Sequence, residues 1–83
     1  MTIDDNMRNE IRTIVSDILE IEADAMTLTS RFREDHDADS LGAVEILAKL
    51  EKTFGISIEQ ANLSRMVNLE GVYTVVAEAA ASR

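Results

Sequence analysis

Apolar residues along the chain follow a helical step, not an alternating one, in three separate stretches. Met7, Ile11, Ile14, Val15, Ile18 and Leu19 recur every three or four residues, the stripe of an amphipathic helix. Asp4 or Asp5 can cap its start and complement the dipole there, which predicts helix one over residues 5–20. A second helix is expected from Ser40 to Phe54, with Leu41, Val44, Leu47 and Leu50 or Phe54 on one face. Asp39 stands at its N-cap position and Gly55 at the C′ position. Gly42, in the first turn, is a local defect that marks either a close backbone approach or drift. Asn68 caps a last helix that turns Leu69, Val72, Val75, Val76 and Ala79 or Ala80 inward.

Between helices one and two the periodicity disappears. Residues 21–38 scatter Ile21, Met26, Leu28 and Phe32 among Thr, Ser, Asp and Arg. So long a connection in a small domain is functional or pinned by its own apolar side chains, and these four are the expected anchors. ISIEQANLSRM is ambiguous: Ile56 and Ile58 alternate like a strand, yet no second strand is available. A loop with a turn or two of helix near 60–66 fits better. The fold class is therefore all-α: a small bundle of three main helices plus one short helix, with a long ordered loop between helices one and two, in a single domain over 1–83.

Composition narrows what such a bundle can do. A chain of 83 residues buries only about 60–65% of its unfolded surface, so its core is one thin layer with little room for an enclosed active site. Sixteen acids against eight bases give a net charge of −8. That surface repels nucleic acid and anionic lipid and either attracts a basic partner or simply keeps the protein soluble. There is no cysteine, which excludes disulfides, thiolate metal sites and a thiol nucleophile. No apolar run spans a membrane and the polar start MTIDDN is not a signal peptide, so a cytoplasmic, monomeric protein is expected.

The chemistry concentrates in EDHDADSLGAVEIL, residues 34–47. If Asp39 is the cap, Ser40 is the first helical residue and Leu41 takes the core-facing position. Backbone N–H groups at the helix mouth favour an anion such as a phosphate ester on the serine. The same residues also read as an ordinary capping cluster, although neither Gly42 nor Ala43 completes a capping box. Hydrolysis lacks support: there is no G-x-S-x-G elbow, and His36 is the only histidine. Asp35, Asp37 and Asp39 imitate the first half of a calcium loop, but Ser40 and Ile46 stand where glycine and the bidentate glutamate belong. No metal site is assigned.

The string FREDHDADSL, Phe32 to Leu41, resembles the attachment motif of acyl carrier proteins, commonly F-x-x-D-L-G-x-D-S-L. The run from Val44 to Ile58, V-E-x-x-x-x-L-E-x-x-F-G-I-x-I, continues the likeness across nearly the whole chain. The resemblance implies a carrier, not an enzyme, with 4′-phosphopantetheine on Ser40 added by a phosphopantetheinyl transferase. A prosthetic thiol accounts for a thioester carrier that has no cysteine. It further implies partner contacts at Asp39, Leu41, Val44, Glu45 and Glu51, meeting basic patches on an acyltransferase, ligase or ketosynthase. For Leu41 and Val44 core packing is the equal alternative, and for Glu45 and Glu51 plain solvated charge.

Departures from the motif shape the rest. His36 replaces leucine, as a partly buried substitute or as a contact to the arm or a partner. Asp37 replaces glycine. Gly42, Lys52, Leu63 and Ser64 replace residues often acidic, which leaves a less negative partner surface and points to polyketide or other specialised-metabolite biosynthesis over general fatty-acid biosynthesis. An aminoacyl or peptidyl carrier is the alternative within this class. An unmodified acidic adaptor or calcium-binding module is the alternative outside it.

Overall fold

The computed structural model describes residues 4–36, 38 and 41–81. Three α-helices follow in order: α1 (Asp5–Leu19), α2 (Leu41–Phe54) and α3 (Leu69–Ala81). A single 3-10 turn, Ala23–Ala25, lies in the long loop, and a 3-10 helix, Gln60–Arg65, lies between α2 and α3. The turn at 23–25 has no counterpart in the sequence reading; the helix near 60–66 does.

The ends of these helices form for the reasons their residues suggest. Asp4 Oδ1 accepts the Met7 N–H at 2.9 Å, satisfying one of the orphan amides of α1. Asn68 Oδ1 does the same for Gly71 N–H at 2.8 Å at the head of α3. Gly55 follows α2 at φ 62°, the left-handed conformation that glycine adopts without a Cβ penalty. α1 ends at Leu19, one residue earlier than expected, and its cap Glu20 takes φ 55° without a glycine to ease it. The expected cap at Asp39 lies outside the described residues.

The core is a single apolar layer between the helices, centred on Ile11 and Val15 of α1, Ile46 and Leu50 of α2, and Val72, Val75 and Val76 of α3, all at most 1% exposed. Ile56 and Ile58 are buried as well, so their alternation reflects a loop turning two side chains inward. Gly42 is buried against α1: a Cβ there would run into Leu19 Cδ2. The apparent defect in α2 is thus a close approach between two helices.

Two expectations about the core need correcting. The face of α2 predicted from Leu41, Val44, Leu47 and Leu50 is displaced by part of a turn. Leu41 and Val44 are 67% and 45% exposed, while Ile46, Leu47 and Leu50 are buried. A strict three-residue step falls short of a full turn of about 3.6 residues and drifts around the axis, so Leu41 and Leu50 end on opposite sides of the helix.

Leu28, expected as a loop anchor, is 52% exposed; Ile21, Met26 and Phe32 do anchor the loop. Backbone bonds hold the loop where Leu28 does not. Its carbonyl accepts Glu70 N–H at 3.0 Å, and Phe32 N–H reaches Val67 O at 2.9 Å. Arg31 and Asn68 form an isolated antiparallel bridge. Arg12 braces the loop from α1, its guanidinium donating to Ala23 O at 3.1 Å and Met26 O at 2.7 Å.

Candidate functional site

Ser40, Asp39 and Asp37 lie outside the described residues, so the site is built from what surrounds them in sequence. Upstream, the loop closes into a tight turn. Asp35 N–H donates to Arg31 O at 2.9 Å, and Asp35 Oδ2 accepts Arg31 N–H at 2.8 Å. Ala38 N–H reaches back to Phe32 O at 2.8 Å. This turn rests on Phe32, which is 5% exposed. Asp35, one of the three acids of the calcium-like string, therefore has an oxygen committed to the backbone. No group of three metal-ligating side chains occurs among the described residues.

His36 is half-buried, with Nε2 2.9 Å from Ser30 Oγ. Ser30 is itself fixed by Thr27, each hydroxyl accepting the other residue's N–H at 3.0 Å. The histidine thus fastens the turn before residue 40 to the turn at 27–30, which suits the partly buried substitute among its two readings.

Downstream, α2 begins at Leu41, the residue after Ser40. Its first turn carries no acid, so none of its own side chains offsets the positive end of the helix dipole. Leu41, Val44 and Glu45 are exposed and share the outer side of the first two turns. Glu51 differs. It is half-buried, and its Oε2 accepts Ile58 N–H at 2.8 Å.

A cleft of about 380 Å³ opens beside this segment, between the 32–38 turn, α2 and the 3-10 helix. Phe32 and Met66 are its buried lining; Arg33, Glu34, Ser64 and Val67 are exposed around it. Ala38 and Ala43, two residues before and three after Ser40, border it. The sequence reading missed this cleft. Leu63, Met66 and Val67 have no periodicity to mark them, and they meet Phe32 only through the fold.

Comparison with known proteins decides the family. Residues 9–76 match the family described as phosphopantetheine attachment site. The chain belongs to the acyl carrier proteins of that family. It is 63% identical over 78 residues to polyketide-8 synthase acyl carrier protein 1 of Streptomyces avermitilis, spanning 94% of this chain and 93% of that protein. It is 31% identical over 74 residues to the acyl carrier protein of Petrotoga mobilis, spanning 89% and 87%.

Among solved structures, a chain of the ishigamide ketosynthase/chain length factor superposes with a TM-score of 0.79 at 29% identity, covering 94% of this chain and 99% of that one. The matched chain is therefore nearly as short as this one. As a member of the family, this chain is a carrier and not an enzyme, and its prosthetic group is 4′-phosphopantetheine. The cleft suits that group: exposed polar side chains can meet the amides of the arm, and an apolar lining can meet its aliphatic parts.

Proposed function

We propose that Ser40 carries the 4′-phosphopantetheine and that the chain holds polyketide intermediates on it for enzymes that load and extend them. The observation that carries this reading is the D-S-L string whose leucine opens α2, in a chain 63% identical to a polyketide synthase acyl carrier protein. When bound, the group supplies a terminal thiol, on which an acyl chain is held as an activated thioester. The residues of this chain do the rest.

A phosphodiester on Ser40 is covalently one residue from the first amides of α2, whose dipole favours negative charge. The residues lining the neighbouring cleft include one cation, Arg33, and one carboxylate, Glu34, so the cleft lining itself adds no net charge. Upstream, backbone and side-chain bonds of Asp35, His36 and Ala38 hold the described part of the loop against Arg31, Ser30 and Phe32. A hydroxyl needs a phosphopantetheinyl transferase and coenzyme A to become this ester, so the transferase is the first partner. Acyltransferases or ligases and a ketosynthase follow, and the matched structure of a ketosynthase/chain length factor supports the last of these.

Among the described residues no helix is long and apolar enough to cross a membrane. We place the carrier in the cytoplasm as a monomer, where coenzyme A and its thioesters are made.

Thioester loading tests the proposal. The phosphopantetheinylated protein, given malonyl-coenzyme A and a malonyl transferase, should gain an acyl group that neutral hydroxylamine removes. Ser40→Ala should gain none. Loading that survives this substitution rejects Ser40 as the attachment point.

A further inference from the structure

The outer face of α2 changes sign along its length, and this bears on which enzymes can dock. At about 3.6 residues per turn, Leu41, Glu45, Ala48 and Lys52 fall in one line, with Val44 and Lys49 beside it. All six are exposed. The first half of the face offers two apolar side chains and Glu45, and the second half offers Lys49 and Lys52 across a small alanine. From Leu41 to Lys52 it runs about 16 Å at 1.5 Å per residue.

Two observations leave the lysines as the charges that the second half of this outer face presents. Glu51, the nearest acid on α2, turns its carboxylate onto Ile58 N–H at 2.8 Å. Glu45 and Lys49, four residues apart and suited to pair, form no ion pair among the described residues, where Arg65–Glu78 is the ion pair present. In a chain of net charge −8, two exposed lysines with no ion pair among the described residues set a local patch of opposite sign against the charge that steers association.

Resting on the carrier reading, we infer that this face docks on condensing enzymes whose surface carries a matching reversal: an apolar pocket and a cation near the arm's entrance, then a carboxylate patch farther out. A uniformly basic dock attracts Glu45 and repels Lys49 and Lys52, so the lysines select against it. Specificity by repulsion of the wrong partner is the physical content.

The test uses the condensing enzyme of the Streptomyces avermitilis polyketide-8 synthase, the system of the 63%-identical relative. Each carrier variant is first phosphopantetheinylated and weighed, then acylated and offered to that enzyme. K49E/K52E should lower kcat/KM at least tenfold through KM, with kcat at saturation and thermal stability unchanged. The wild-type rate should fall with salt more steeply than that of K49E/K52E. Leu41→Glu, the reference for docking on this face, should abolish the reaction.

Equal kcat/KM for wild type and K49E/K52E, with Leu41→Glu inactive, overturns the inference. A reaction indifferent to Leu41→Glu overturns it equally, since α2 is then not the docking face. Failure of the carrier reading is distinguishable, because no variant would then gain the mass of the arm.

Discussion

Glu51 Oε2 accepts a hydrogen bond from Ile58 N–H at 2.8 Å, seven residues downstream. The bond ties the last turns of α2 to the chain that leaves it, across Gly55 and between the buried Ile56 and Ile58. A half-buried carboxylate in this position is a structural brace, and the family resemblance alone had placed it among the partner contacts. Glu51→Ala should cost about 1–3 kcal/mol of stability, the range for a hydrogen bond to a charged group, and Glu51→Gln less. Urea denaturation of both variants checks it. Unchanged stability with slowed partner reactions would return Glu51 to the docking surface.

The glycines of two helices should answer alanine differently. At Gly71 a new Cβ would meet the backbone carbonyl oxygen of Arg65, with Asn68 Oδ1 at 3.2 Å. Backbone cannot step aside as a side chain can, so Gly71→Ala should destabilise by about 1–3 kcal/mol despite the better helix propensity. At Gly42 the obstacle is the tip of Leu19, which can move, and Gly42→Ala should cost less. Thermal unfolding of the two variants gives the order.

Exposure separates the docking candidates from the core. Leu41→Ala and Val44→Ala, at 67% and 45% exposed, should change stability by no more than about 0.5 kcal/mol. Ile46→Ala, at 1% exposed, should cost about 2–5 kcal/mol. Equal losses at Leu41 and Ile46 would mean that α2 is rotated relative to this description.

Arg65 and Glu78 meet through two hydrogen bonds of 2.7 Å between guanidinium and carboxylate. These bonds hold the Glu78 carboxyl below its ordinary value of 4.5. A carboxyl depressed on folding contributes stability above its unfolded value and loses it as pH falls through the folded one. Glu78→Gln should therefore unfold at a lower temperature than wild type at neutral pH, and the difference should vanish as the solution is acidified below the carboxylate range. Because the pair is exposed, salt should shrink the difference too.

How much of this was legible beforehand follows from what each signal measures. The helical step gave all three α-helices to within a residue or two, and the caps at Asp4 and Asn68 and the glycine at 55 fixed their ends. Periodicity failed on α2 because its apolar residues cover more than half of the helix circumference. With Leu41, Val44, Ile46, Leu47 and Leu50 all apolar, pattern alone could not tell which side faces Leu19. The loop anchors Ile21, Met26 and Phe32 were recognisable as isolated apolar residues in a polar stretch. Leu28 looked identical, and only the Glu70 N–H bonded to its carbonyl explains why its side chain is left outside. The cleft and the Glu51 brace join residues far apart in sequence, and no local pattern marks them.

The central claim is that the oxygen of Ser40 bears the arm. Incubating the protein with coenzyme A and a broad-specificity phosphopantetheinyl transferase, then measuring the intact mass and mapping the modified peptide, tests it most directly. The account predicts one phosphopantetheine per chain, on the peptide containing Ser40, and no gain for Ser40→Ala. An unchanged wild-type mass, or an equal gain in Ser40→Ala, contradicts it.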